Sequence, residues 1–507
     1  MANSSFASAQ TGIVNGTNSN SSAQSMPAPP TIPKLPIPQN STLTTSTVGP
    51  IAVTFTAAQN GDWHIGSTWV GGIVPGISDN KIIPAGINVT VTTEVDNNGN
   101  VTNSGTITIL NSGTRTTGII NYGAFSNSGT ITISNSKNTG FRNTIGGSIV
   151  NAPGGKINIS NSGGTGFQND SNSTLNNTSG GQIIISSAGL YGIYNIGTII
   201  NNAGGQITTT NSGSYGIGLR FGGTIINYGI ITLSNTGIAS NGIDISASDT
   251  LTNYGTITVS NGVAYGLDNS GGKFNNYGII LNNGVIYNYS FLSPFSGILS
   301  NNGTINNNGV INNYNDGLIS TFGTITNSGE IHNYSGGLIT NSGTIAVSNS
   351  NGIGITNNST ITNNPVGKIT ISNSGSNTNG IINNGAFSNS GTITVSNSNG
   401  IGITNNSTIA NIGTILNNGN ITNVCLGNIT GNPVTGNPII NTCPNPATLK
   451  VIKRIINDNG GTLTLAGVTL QVDGITVTNN TLNQVSAGQH TVSEIPVPGY
   501  KETFGGA

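Results

Sequence analysis

The sequence predicts an all-β protein whose main body is a right-handed, three-sided parallel β-helix. Three observations carry this. A Gly-x-Ile unit starts at Gly303, Gly309, Gly317, Gly323, Gly329, Gly337 and Gly343, in steps of 6, 8, 6, 6, 8 and 6. That is a 20-residue period of three unequal sides, traversed twice, which is the pattern of a coil with three short strands. The strand between corners alternates apolar and polar with period two, as at Ile107/Ile109, Ile131/Ile133 and Ile393/Val395. Finally, Asn precedes the corner Gly again and again, in NNG, NSG and NYG. Stacked Asn amides can bond to one another up a column and satisfy groups that a thin core leaves unpaired.

Other coils are longer. Gly105 to Gly129 spans 24 positions, and NSGTI recurs at 103, 127, 341 and 389. A near-duplicate pair, 341–363 and 389–411, is offset by 48, which reads as two coils of 24. An antiparallel sandwich would alternate too, but it needs tight hairpins and leaves the repeat unexplained, whereas in a parallel solenoid the repeat is the register. Roughly 320 residues in such coils give about 14–16 turns and a rod of about 70 Å. Each corner Gly is expected to turn the chain with φ > 0.

Composition bounds function. Charged residues are 5% of the chain, with 13 Lys or Arg against 14 Asp or Glu, and Gly is 76 of 507 residues. Regular Ile and Val with a net charge of −1 exclude wholesale disorder. So few cations exclude a nucleic-acid surface and an anionic membrane surface. No apolar run is long enough to span a bilayer. The opening residues, MANSSFASAQ, hold Ala7-Ser8-Ala9, like the tail of a cleavage site, without a hydrophobic region before it. Sequons at Asn40, Asn88, Asn100 and Asn358 permit glycosylation outside the cell. No cofactor or metal is expected.

Along the chain, residues 1–50 form a polar arm, Pro-rich from Pro27 to Pro38, that reads as an extended spacer. Residues 51–100 form an N-terminal cap that holds both tryptophans, Trp63 and Trp69. Open solenoid ends invite pairing and need such caps. Residues 101–424 are the β-helix. Residues 425–447 are a Pro-rich link flanked by Cys425 and Cys443, and a single disulfide closing that loop is the natural reading outside the cell. Two cysteines with no nearby His make no metal site. Residues 448–507 have ordinary strand composition and read as a small β-sandwich.

Two stretches resemble known families. Gly61-x-Trp63, Trp69-x-x-Gly72-x-x-Pro75 and Asp79-x-x-x-Ile83-Pro84-x-Gly86 resemble the opening of a β-helix-associated extracellular domain named for its eight glycines. The resemblance covers about 30 residues and implies a surface protein, adhesin-like or surface-layer-like. Trp63, Trp69 and His64 could then stack on glycan, or the tryptophans could plug the open end. The last 60 residues resemble a SpaA-like, prealbumin-fold pilin-type domain through Leu449-x-Val451-x-Lys453, Asn457-Asp458-Asn459-Gly460-Gly461 and His490-Thr-Val-Ser-Glu494-x-x-x-Pro498-Gly499-Tyr500. Some members form a Lys–Asn isopeptide bond assisted by Glu, and Lys453 and Glu494 match by position. The strand carrying the Asn does not appear before Ala507, so the sandwich is expected to be incomplete, Lys453 to be an edge lysine, and a missing strand to lie in a longer chain or to come from a neighbouring subunit.

Many β-helices act on polysaccharides, and the best carboxylate cluster for that chemistry is Asp244, Asp249 and Asp268. Asp244 and Asp268 are one 24-residue coil apart, so they are expected to stack; otherwise the three are exposed turn or strand residues. Arg220 is the nearest cation upstream, and His332 and His490 stand alone in sequence. Corner tyrosines Tyr122, Tyr228, Tyr254, Tyr277, Tyr289, Tyr314 and Tyr334 could bind glycan by stacking or pack on adjacent coils. Thr106/Thr108 and Thr130/Thr132 raise an ice- or surface-binding face, ranked last because Ser, Asn and Tyr interrupt it. The expectation is therefore a non-enzymatic extracellular or cell-surface rod that self-associates as a filament, sheath or lattice or displays an adhesive surface, with surface glycans as a further partner. A glycan-active lyase or hydrolase is the alternative.

Overall fold

The computed structural model describes residues 52–110, 116–234, 241–260, 265–291, 295–348, 352–373, 378–397, 400–424, 427–442, 447–458, 460–485, 489–503 and 505. From Thr54 to Asn441 they form three parallel sheets of 17, 17 and 16 strands, visited in turn by each coil. A first-sheet strand such as Asn100–Asn103 leads to the second-sheet strand Thr106–Leu110 and the third-sheet strand Thr117–Asn121, and the next coil repeats the circuit. The β-solenoid expected from the repeats is the observed architecture. Among the described residues the helical content is two 3₁₀ turns, Gly66–Thr68 and Leu465–Gly467.

Register follows the sequence repeat. Ile305, Ile325 and Ile345 stack at steps of 20. Ile345, Ile369 and Ile393 stack at steps of 24. The duplicated segments do lie two coils apart, but on the first sheet the steps are 22 and 26, from Asn341 to Asn363 to Asn389, because corners differ in length. The inward residues form continuous columns; one runs Ile107, Ile131, Ile157, Ile183, Ile207, Ile231 and Ile257, each 1% exposed or less. Phe125, Phe141 and Phe167 fill a wider part of the core, with ring centroids 5.5 Å apart.

The repeated corner glycines are needed for a reason other than the one expected. Positive φ occurs at the first glycine of Gly-Gly corners, such as Gly146, Gly154, Gly180 and Gly204, whereas Gly105, Gly129, Gly303 and Gly323 have none. At those positions a Cβ would meet the carbonyl oxygen of the coil before: 2.0 Å from Gly105 O at Gly129, and 2.0 Å from Gly303 O at Gly323. Stacking distance, not backbone handedness, fixes these glycines.

Two long buried asparagine ladders run beside the core, with a short one, Asn282, Asn307 and Asn327, on the second sheet. On the first sheet, the Nδ2 of Asn103 donates to Asn127 Oδ1, and the pattern continues through Asn151, Asn177, Asn201, Asn227, Asn253 and Asn276 to Asn301 at 2.7–2.8 Å. On the third sheet, Asn97, Asn121, Asn143, Asn169 and Asn195 are linked in the same sense. The second hydrogen of each Nδ2 serves corner carbonyls: Asn227 Nδ2 bonds Gly229 O and Thr256 O. The third-sheet ladder is closed at its first residue by Lys81, which is 1% exposed and donates to Asn97 Oδ1 at 3.1 Å and Ile77 O at 2.8 Å. Burial lowers the Lys81 ammonium to a pKa of about 8 against the pull of Asp79.

Before the first full coils, Trp63 and Trp69 are buried at 4% and 2% exposure, edge to face at 5.3 Å, and Trp69 Nε1 donates to Trp63 O. Neither ring offers a face to a ligand; His64 is exposed beside Asp62. From Ala447 onward the pairing is antiparallel, Ala447–Lys450 with Leu482–Val485 and Leu470–Val472 with Ile475–Val477 and Val492–Glu494. The arm and both cysteines lie outside the described residues. The strands before the cysteines, Asn420–Asn423 and Ile439–Asn441, pair with an offset of 18, the separation of Cys425 and Cys443.

Asn227→Ala removes the donor to Asn253 Oδ1 and leaves a void, so urea unfolding should show a loss of about 2–4 kcal/mol. Tyr228→Ala, on the adjacent exposed position, should lose less than about 1 kcal/mol, and equal losses would refute a structural role for the ladder. Gly129→Ala should lower the midpoint more than either. Intact mass before and after reduction tests the cysteine pair: an unchanged mass would mean there is no disulfide.

Candidate functional site

The third sheet carries most of the chain's unusual chemistry on its outer surface. Asp244 and Asp268 are register partners on the adjacent strands Asn241–Ser246 and Tyr265–Ser270. All three candidate aspartates are buried, not exposed: Asp244 is 6%, Asp249 0% and Asp268 9% exposed. Their surroundings assign them different tasks.

Asp244 is held by a two-armed fork, with Arg220 Nη1 and Nη2 each 3.0 Å from a carboxylate oxygen. The guanidinium lies 5.2 Å from the Tyr215 ring centre and 5.8 Å from that of Tyr191, whose rings stack at 4.8 Å. Gly218 makes this possible, since a Cβ there would sit 2.7 Å from the Tyr191 ring. Planar cation, carboxylate and ring faces satisfy one another. Asp249 lies at a corner and accepts backbone N–H bonds from Gly222, Gly223 and Ser246 at 2.8, 3.0 and 3.0 Å. Burial raises its pKa to about 6, and those three bonds hold it back from rising further. The same corner positions carry positive φ at Phe221 (55°) and Ser248 (72°).

Asp268 differs. Asn241 Nδ2 reaches its Oδ2 at 3.3 Å, while its Oδ1 is buried with no hydrogen-bond partner among the described residues. Burial first, then the charge of Asp244, push it up to about 7 in spite of Arg220. Tyrosines crowd this end: Tyr287 is its register partner, Tyr265 meets Tyr287 edge to face at 4.4 Å, and Tyr289 and Tyr314 stack at 4.8 Å. Burial and the nearby Asp268 carboxylate raise the Tyr289 and Tyr314 hydroxyls, Tyr314 to about 12.

The cluster coincides with a fault in the asparagine ladder. After Asn195 the stacked position holds Leu219 and then Ile245, before Asn269 restarts the column through Asn288 and Asn313. Asn269 Oδ1, the start of the new run, lacks a partner among the described residues. Across the gap, Asp249 binds corner N–H groups where Asn would have bonded corner carbonyls.

Other predicted sites resolve as follows. His332 Nε2 lies 2.8 Å from Glu330 Oε2, and His490 Nδ1 2.6 Å from Asp473 Oδ2, so neither stands alone. Lys453 is not an unpaired edge lysine: its Nζ contacts the Glu494 carboxylate. Tyr228, Tyr254 and Tyr277 form a parallel column at 4.9 and 5.0 Å with ring planes within 11°. Their faces are turned to each other, so a sugar meets ring edges along this column. Tyr122 and Tyr334 are exposed, the latter near His332. The threonine rows Thr106/Thr130 and Thr108/Thr132 run into Lys156 and Asn158 on the next strand, so they make no extended flat face. The sequence did not point to Tyr191, Tyr215, Tyr265 or Tyr287, and it placed Arg220 only as the nearest cation.

No protein-family model matches the chain, and no curated protein matches it. Among solved structures it is similar to a TibC-catalyzed hyper-glycosylated TibA fragment, at 14% identity over 77% of this chain and 92% of that one, with a TM-score of 0.23. At that score the likeness carries no argument about function. No helix among the described residues is long and apolar enough to cross a membrane.

The raised Asp268 has a definite sign. Its unfolded value is 3.8 and its folded value about 7, so between them the folded chain holds the extra proton. Stability is therefore greatest at low pH and falls as pH rises toward 7. The facing groups are Asp244, Arg220 and the neutral tyrosines, and Asp249 adds a change of the same sign below about 6. Asp268→Asn should raise the melting temperature at about pH 8, by a free energy on the order of 3–4 kcal/mol, and have little effect near pH 4. A variant that melts lower than the parent at about pH 8 would contradict this.

Proposed function

We propose that the chain is an extracellular or cell-surface structural protein whose β-helix serves as a rigid, adhesive or assembling rod. The supporting observation is the unbroken parallel stack with a fully buried amide ladder along the first sheet from Asn103 to Asn301. Such a column makes every coil depend on its neighbours and suits extension and resistance to unfolding better than a moving active site. The exposed sequons at Asn88, Asn100 and Asn358 fit a glycosylated exterior. Self-association into a filament, sheath or layer, and contact with surface glycans, belong to this reading.

The glycan-cleaving alternative loses support from the carboxylates themselves. Asp244 is neutralised by Arg220 and Asp249 is closed by three backbone donors, which leaves Asp268 without an accessible carboxylate partner for paired acid–base work.

Negative-stain electron microscopy of the purified chain should show elongated rods or their assemblies, with a shaft of about 70 Å. Incubation with plant, bacterial and animal polysaccharides should release no reducing ends or unsaturated products. Cleavage abolished by Asp244→Asn or Asp268→Asn would overturn the structural reading.

A further inference from the structure

We propose that Asp268 and the tyrosine rings around it form a binding site for a primary alkylammonium group. The inference goes beyond the rod reading and does not depend on it.

The argument starts from charge. Arg220 is committed to Asp244 through both arms of its guanidinium, so it does not also serve Asp268, one coil further on. Asp268 is nine-tenths buried, and its Oδ1 has no donor among the described residues. A buried acceptor without a donor costs free energy, and a buried carboxylate without a cation costs more. The site calls for a group that supplies an N–H and a positive charge together.

The rings specify what kind of cation that is. Tyr287 follows Asp268 in the same outward column, and Tyr289 and Tyr314 stand one column over, stacked on one another. Tyr287 meets the Tyr314 ring edge to face at 5.7 Å and the Tyr265 ring at 4.4 Å. The rings are therefore turned at differing angles, unlike the parallel column of Tyr228, Tyr254 and Tyr277. A ring face attracts an organic cation, and no group of three His, Cys, Asp or Glu among the described residues is placed to hold a metal ion. A quaternary ammonium would answer the charge and the rings but not the orphan acceptor; a primary ammonium answers all three. Because Oδ1 is buried, neighbouring side chains must shift to admit it, a rotamer change within the ordinary range for partly exposed side chains. The same chemistry is offered by a small free amine and by a lysine side chain.

The test uses the full chain at low salt and about pH 8, where Asp268 is ionised. Isothermal titration calorimetry with n-butylammonium should show one site. Tetramethylammonium should bind more weakly. Asp268→Asn should lower the butylammonium affinity by about tenfold or more, Tyr287→Leu should lower it as well, and Tyr228→Leu, on the remote column, should leave it unchanged; circular dichroism checks that each variant folds. An acetylated and amidated Gly-Lys-Gly peptide separates the sources: binding equal to butylammonium assigns the site to lysine side chains, and weaker binding assigns it to small amines. Absence of binding at millimolar butylammonium, or equal affinity in Asp268→Asn and the parent, would overturn the proposal, as would tetramethylammonium binding as tightly as the primary amine.

Discussion

The amide-to-amide hydrogen bond between stacked asparagines is the interaction on which the rest of the molecule depends. A coil of 20 to 26 residues has three corners, and each corner turns carbonyl groups away from the strand ladders. A thin aliphatic core has no polar groups with which to meet them. The asparagine side chain solves this in one residue: its oxygen accepts from the coil before, one N–H donates to the coil after, and the other N–H reaches a corner carbonyl. Asn227 shows all of these, with Asn201, Asn253 and Gly229 as partners. Glycine is the counterpart. It lets successive corners approach until a carbonyl occupies the space of a missing Cβ, as at Gly129 over Gly105.

Because each link is made to the next coil, the ladder has a direction. Every Nδ2 points toward the C-terminal coils, leaving an oxygen at the start of each run. On the third sheet that oxygen is covered by the Lys81 ammonium, and a cation is the right cap for the acceptor end of an aligned row of amides. On the first sheet, Asn103 Oδ1 has no such partner among the described residues. The N-terminal end is thus closed by one buried lysine and two buried tryptophans, the residues least suited to continuing a repeat. This explains why the cap contains chemistry found nowhere in the regular coils.

The repeat made the fold legible before any coordinates: steps of 20 at Ile305, Ile325 and Ile345 are the register itself. The reason for the glycines was not legible, because close approach between coils depends on distances that a sequence does not carry. The outward surface was harder still. The column that runs Asp244, Asp268, Tyr287, Asn312, His332 advances by 24, 19, 25 and 20 positions. The first and last steps match coil lengths evident from the repeats, but the steps of 19 and 25 between them do not, and so only the Asp244–Asp268 pair was foreseen. The tyrosines joined the site through corners of varying length. One signal was available: Leu219 and Ile245 stand where the stacked third-sheet position otherwise holds Asn.

That substitution ties structure to function. Leu and Ile at two successive ladder positions give up three amide links, from Asn195 to Asn269, which is a loss in a solenoid built on them. The two affected coils carry buried aspartates, a forked arginine and non-glycine residues at positive φ. Stacking alone favours Asn at both positions, as the first sheet shows through the same coils with Asn227 and Asn253. The fault lies on one sheet only and is bridged by Asp249, so the local stack survives while its outer surface is free to hold charge. Asp268 then sits where regular amide stacking has been relinquished and a raised, unmatched carboxyl has been kept. Stacking stability alone does not call for that arrangement; the ammonium contact proposed for this one face would.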